Sequence, residues 1–229
     1  MNFKIVSDSS SNVFTFSGSG FEYETVPLKI ITSKEEFVDT PDLDIPRMII
    51  SLSEEKNFSA TSCPNMHEWY EAFKGADNIF AITITSSLSG SYGSAVSAAE
   101  EYVKDFPNAN VYVIDSLSTG PEMQLIIEKL GELISSGKTF EEIKSEIIEY
   151  QKHSHLLFCL QSLANLARNG RVSHAAAKIA GILGIQIIGR ASAQGTLELA
   201  HKLRGEKKVL NTIFKEMEMA GFSGGKVRI

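Results

Sequence analysis

Over the first two thirds of this chain, apolar runs of strand length alternate with stretches that carry helical spacing, and that alternation constrains the fold more than any other feature. Strand patterns stand at residues 3–6, 26–31, 79–85 and 111–114, and amphipathic helix patterns at 45–52, 65–73, 88–103 and 123–134. This order predicts an α/β domain built around a largely parallel sheet. In open sheets of that kind, ligands bind beyond the carboxyl ends of the strands. Three polar turns directly follow strand patterns, at 7–11, 86–91 and 115–118, and a fourth polar segment at 61–65 opens a helix.

A further amphipathic stretch, with Phe140, Ile143, Ile147 and Ile148 on one face, leads out of this domain to the polar boundary His153-Ser154-His155. Beyond it come a strand pattern at 156–160, a small-residue helix at 174–183, an apolar run at 185–188, an alternating strand at 196–203 and a helix at 206–219. The chain therefore reads as two units: residues 1–152 as the sheet domain that carries the polar loops, and 153–229 as a second, smaller α/β domain. Gly224-Gly225-Lys226-Val227-Arg228-Ile229 reads as the opening of one more strand. The sequence stops where that strand should continue, so the second domain is expected to be truncated.

The net charge of −6 comes without a basic run, which leaves a nucleic-acid partner or a polybasic membrane contact without electrostatic support. Residues 179–189 form an apolar stretch, but Gln186 interrupts it and it is far too short to span a bilayer. The N-terminus enters a strand pattern at once, without the apolar region of a secretory signal. Cys63 and Cys159 make neither a disulfide framework nor a zinc site, and a reducing, cytoplasmic setting is the simplest reading.

The turn Ser86-Ser87-Leu88-Ser89-Gly90-Ser91-Tyr92 sits between a strand and a helix pattern. The first amides of a helix lack intrahelical partners and the macrodipole is positive there, so hydroxyls and amides at this point can hold a carboxylate or a phosphate. Ser86 or Ser87 can equally be a plain N-cap, with Gly90 present for close packing. Thr61-Ser62-Cys63-Pro64 repeats the chemistry, with hydroxyls before a helix and Pro64 setting its first turn, although Thr61 too can be only a cap. Asp8 and Asp115 each end a strand beside a serine, where they can fix a neighbouring hydroxyl or simply close an Asx-turn.

Asn169-Gly170-Arg171-Val172-Ser173 reads as a helix C-terminus with Gly170 as its left-handed cap. Lys202, Arg204, Lys207 and Lys208 form a basic cluster that is either solvated surface or a docking patch for an anionic partner. The sequence holds no nucleophile elbow, Walker loop or dinucleotide fingerprint, and no catalytic residue is assigned. His67, His153, His155, His174 and His201 lack metal-ligand spacing, His153 and His155 sharing only one face of an expected strand.

Several of these pieces, in this order, carry a resemblance: Ile5-Val6-Ser7-Asp8-Ser9, Val26-Pro27-Leu28, Asp39, Thr61-Ser62-Cys63-Pro64, the serine-rich turn, Val113-Ile114-Asp115-Ser116, Gly170-Arg171-Val172-Ser173 and Lys202-Leu203-Arg204. Over nearly the whole chain they resemble the DegV family of bacterial fatty-acid-binding proteins, some of which serve as the acyl-carrying subunit of a fatty-acid kinase. The resemblance implies a Rossmann-like first domain whose hydroxyls grip a fatty-acid carboxylate, and an apolar tunnel between the domains for the acyl chain. It implies no cofactor and no intrinsic catalysis. By that likeness Thr61 and Ser89 contact the carboxylate, Ser62, Gly90 and Ser91 support them, and Arg204 lies near the surface used by an ATP-dependent kinase subunit.

Asn65 stands where the family usually has serine or another small residue, and Ser91 where it has threonine; both keep a hydrogen-bonding side chain. A late segment of the family, with a histidine and glycines that also contact the head group, has no counterpart in this sequence. An enzyme or enzyme subunit acting on a phosphorylated small molecule is the competing reading. Against it, residues 61–65 and 86–93 contain no Arg or Lys to meet a phosphate. An interaction module without a small ligand is disfavoured by two polar helix starts in one domain.

Overall fold

The structure, a computed structural model, describes residues 2–55, 59–172 and 184–229. After β1 (Phe3–Asp8) and a short 3-10 turn come β2 (Phe21–Val26), β3 (Lys29–Ile31), β4 (Glu36–Val38) and α1 (Ile45–Glu54). β5 (Ala60–Ser62), α2 (Met66–Phe73), β6 (Asn78–Thr83), α3 (Ser91–Asp105), β7 (Asn110–Asp115) and α4 (Pro121–Ser135) follow. α5 (Phe140–Gln151) then leads to β8 (Leu157–Leu160), α6 (Ala164–Arg168), β9 (Gln186–Ala191), β10 (Leu197–Leu203) and α7 (Glu206–Met219).

The first sheet has the order β2-β1-β6-β7 and is parallel throughout. β1 and β6 are buried along their whole length, which is why their sequences read as runs with little polar alternation. On one face α4 and α5 close over Ile5, Phe80 and Ile82, with Phe80 and Phe140 stacked at a centroid distance of 4.6 Å. On the other face α2 and α3 bring Trp69, Phe73 and Tyr102 against Val6, Ile79 and Ala81. The expected α/β architecture is therefore present, with helices on both faces of a parallel sheet.

Two smaller sheets, β4-β3-β5 and β10-β9-β8, are antiparallel. Leu163 and Ile187 centre the core of the second of these, with Leu160, Leu166 and Val172 packed around them.

Four expectations change. Residues 26–31 do not form one strand: β2 ends at Val26 in the parallel sheet and β3 begins at Lys29 in the small antiparallel one. Pro27 between them has no N–H to give to a ladder, and the Leu28 amide turns instead to Ser9 Oγ at 3.0 Å. Residues 224–229 form no strand. Instead, Lys226 Nζ reaches Glu132 Oε1 at 2.5 Å, and Arg228 brackets the Glu128 carboxylate with Nε and Nη2, each at 2.7 Å, which ties this segment to α4.

His153 lies in the turn after α5, outside any strand, with its Nε2 3.3 Å from Glu149 Oε1. Pro64 precedes α2 instead of opening it, because Asn65 is the cap and Met66 the first helical residue. The helix expected at 174–183 lies outside the described residues. Among the described residues no cluster of side chains is arranged to hold a metal ion, and no helix is long and apolar enough to cross a membrane.

Candidate functional site

The strand order places a switch point between β1 and β6, where the chain's connections part to opposite sides of the sheet. A crevice opens at the carboxyl ends of such strands. β1 ends there in Asp8 and β6 in Thr83. Asp8 is fully buried and its carboxylate joins three segments. Oδ1 accepts from the Ser10 amide at 3.3 Å and from the Ser10 hydroxyl, while Oδ2 accepts from the Ile84 amide at 2.9 Å and the Ser91 hydroxyl at 2.7 Å. Burial pushes its pKa up, and the hydrogen bonds from Ser10, Ser91 and Ile84 pull the other way. The Asx-turn and the fixing of a neighbouring hydroxyl are thus both realised by one side chain.

The serine-rich turn runs from this point into α3. Its entry is held by Asp115, whose Oδ1 accepts from the Ser86 amide at 3.1 Å and the Leu117 amide at 3.0 Å. Neither Ser86 nor Ser87 caps the helix: the cap is Gly90, which supplies no side chain. The hydroxyl that meets the first turn is Ser89 Oγ, which accepts from the Ser91 amide at 3.2 Å. Among the described residues, the amides of Gly90, Tyr92 and Gly93 find no acceptor, so the positive end of α3 keeps free donors. Ser91 itself is buried with its hydroxyl committed to Asp8, whereas Ser89 is half-buried.

Thr61 comes from a different kind of element. It is the middle residue of β5, paired with Ile30 of β3, and it is exposed. Ser62 is half-buried, and among the described residues its hydroxyl makes a long contact, 3.4 Å, to the Cys63 carbonyl. α2 takes its cap from Asn65, which accepts from the Glu68 amide at 3.0 Å while Glu68 accepts from the Asn65 amide at 2.7 Å. Thr61 is therefore no cap. A methyl group on Gly90 would stand 3.4 Å from Cys63 Sγ, so the two hydroxyl-bearing segments meet at that point.

Part of the site was not legible in the sequence. Gly170 takes φ of 73°, and the Arg171 and Gly170 amides donate to the Leu166 and Ala167 carbonyls at 2.8 and 3.1 Å, a Schellman ending for α6. That turn brings Arg171 Nε to the Leu88 carbonyl at 2.9 Å, so a guanidinium stands beside a loop whose own sequence has no cation. From the β9–β10 hairpin, the Gln194 carbonyl accepts from Ser87 Oγ at 2.7 Å. The only signals for these contacts were a glycine turn and a short polar hairpin. Arg204 follows β10 and is exposed, with Lys202, Lys207 and Lys208 exposed nearby in sequence. A groove of about 360 Å³ between α1 and the β3–β4 turn, lined by Lys34, Arg47, Ile50 and Glu54, shares no residue with the two hydroxyl segments.

Residues 2–229 match the family model described as "Uncharacterised protein, DegV family". The chain belongs to the DegV family. A DegV domain-containing protein of Streptococcus gordonii is 42% identical over 231 residues, covering 100% of this chain and 82% of that relative. Among solved DegV structures, a protein from Eubacterium eligens loaded with heptadecanoic acid matches with a TM-score of 0.94 and 45% identity, over 98% of this chain and 80% of that one. The Fatty Acid Kinase (Fak) B3 protein of Streptococcus pneumoniae, loaded with linoleic acid, matches with a TM-score of 0.96 and 40% identity, over 98% and 81% of the two chains.

Proposed function

We propose that this DegV protein is a non-catalytic carrier that binds one long-chain fatty acid and presents its head group to an ATP-dependent fatty-acid kinase subunit. The carboxylate lies between Thr61 and Ser89, with Ser62, Gly90 and Ser91 shaping the pocket around it. The observation that carries this reading is the meeting of the two hydroxyl segments at Cys63 and Gly90, beside the first amides of α3, which have no acceptor among the described residues. Relatives with 45% and 40% identity hold heptadecanoic and linoleic acid on the same fold, which supports the ligand class.

Energetics assign different tasks to the two ends of the ligand. Each buried methylene contributes about 0.8 kcal/mol, so about ten of them outweigh two hydrogen bonds to a charged group at about 1.5 kcal/mol each. The acyl chain supplies affinity and the hydroxyls supply orientation. In this reading the chain divides at residues 152/153, the second unit covers the acyl chain, Arg204 belongs to the kinase-facing surface, and the protein works in the cytoplasm without a cofactor. A phosphorylated small molecule would need a free cation at the loop. Among the described residues Arg171 stands beside that loop, and its Nε and Nη1 are engaged by the Leu88 and Asn169 carbonyls.

Native mass spectrometry of the purified protein is expected to find a co-purifying fatty acid. The double variant Thr61→Val/Ser89→Ala should stay folded and bind the acid roughly 100-fold more weakly, the loss of two hydrogen bonds to a charged group at about 1.5 kcal/mol each. Protein that is empty and takes up no added long-chain acid would end this reading.

A further inference from the structure

We infer that Asp8 is the positioning residue of the head-group site, holding Ser91 so that its amide occupies Ser89 Oγ and leaves the Ser89 hydroxyl proton for the ligand carboxylate. The inference rests on the fatty-acid reading above and adds the residue that makes its hydroxyl a donor. A serine hydroxyl has one proton to give and two lone pairs to accept with. Ser91 is fully buried, and its proton goes to Asp8 Oδ2 at 2.7 Å. That bond fixes the first residue of α3, and its amide then reaches Ser89 Oγ at 3.2 Å. With one lone pair filled by an amide, the Ser89 O–H is polarised outward, and among the described residues it has no acceptor of its own.

Nothing in packing alone asks for a carboxylate at this position. A neutral side chain of similar size would be less costly to bury than an ion. What the carboxylate offers is acceptor capacity on both oxygens, used here for Ser10, Ile84 and Ser91 at the ends of β1, β6 and the serine-rich turn. An asparagine accepts through one oxygen only and turns its NH2 group against another donor. Asp8→Asn therefore keeps the size of the side chain and removes part of the register that aims Ser89.

The test compares cis-parinaric acid with its methyl ester, read by fluorescence on the full chain. The two ligands share an acyl chain, and only the acid presents a carboxylate to the Ser89 hydroxyl. Asp8→Asn and Ser91→Ala are each expected to lower the acid-over-ester preference about tenfold, the size of one hydrogen bond to a charged group, with a much smaller fall for the ester, whose carbonyl is the weaker acceptor. The double variant should add little to either single one, because both act through one bond. An unchanged preference, or an equal fall for acid and ester, overturns the role of Asp8 while leaving the carrier reading intact. An unaltered chain that binds neither ligand overturns both. If Asp8→Asn does not fold, Ser91→Ala decides alone, since it removes only one oxygen atom.

Discussion

The two segments that meet at Cys63 and Gly90 are held by opposite means. Thr61 is placed by backbone: it pairs with Ile30 in a strand register that any residue able to extend can keep. Ser89 is placed by side chains and turns from distant parts of the chain, namely Asp8 through Ser91, Asp115 through Ser86, Gln194 through Ser87 and Arg171 through Leu88. The difference assigns the two hydroxyls different vulnerabilities. Thr61 tolerates change around it, whereas Ser89 responds to any shift of the second sheet against the first.

Gly195 is where that contrast breaks most sharply. It sits in the β9–β10 hairpin with φ of 72°, and a methyl group there would stand 2.0 Å from Thr85 Oγ1 and 3.0 Å from the Leu117 Cα. Gly195→Ala adds a left-handed backbone cost of about 1–2 kcal/mol to an overpacking cost of about 1–3 kcal/mol. Thermal unfolding should begin roughly 5–15 °C lower, and acid retention should fall, because Thr85 and Ser87 belong to the loop that carries Ser89. Retention equal to that of the unaltered chain would show that the hairpin does not brace the loop.

The Thr61 side should answer differently. Asn65→Ala removes the cap of α2 and half of its capping box, a loss of about 1 kcal/mol. The melting point is expected to fall by roughly 2–4 °C while acid affinity stays within about twofold, since the β3–β5 register does not pass through that cap. A tenfold loss of affinity in a titration would place the cap within the site and erase the contrast.

The same contrast explains what could be read in advance. β1, β6 and α4 announced themselves because a strand buried on both faces and a helix with one apolar face leave long patterns in sequence. β4 and β5 are three residues long, too short to leave a period even though burial alternates along each, so the element that places Thr61 was missed although Thr61 itself was marked by its motif. The hydroxyls of the serine-rich turn were legible, but their roles were not. Ser86 and Ser87 were candidate caps, yet a glycine takes the cap position and Ser91 turns inward, because a buried carboxylate with unfilled acceptor positions draws the nearest hydroxyl. The Gly170 cap before Arg171 was read from its local pattern and the structure bears it out, but the reach of Arg171 to Leu88 depends on how distant segments pack together, which no local pattern encodes.

A last contrast is a pH slope of stability that the Ser89 side should possess through Asp8 and the Thr61 side should lack. The Asp8 carboxyl is raised above its ordinary value of 3.8, chiefly by burial. Between that ordinary value and the raised one, the folded state keeps a proton that the unfolded chain has released, so stability falls as pH rises through this window and levels off above it. The contribution is about 1.4 kcal/mol for each unit by which the two values differ. Urea unfolding from about pH 4 to about pH 8 should therefore give unaltered and Asp8→Asn curves that converge or diverge within the window and run parallel above it, because every other titrating group is common to both. Ser91→Ala removes one of the hydrogen bonds that lower the Asp8 value, so it should extend the window upward. Thr61→Val changes no partner of Asp8 and should follow the unaltered chain at every pH; a slope altered by Thr61→Val, or curves for Asp8→Asn that stay parallel throughout, would mean that the buried carboxylate is not the group distinguishing the two halves of the site.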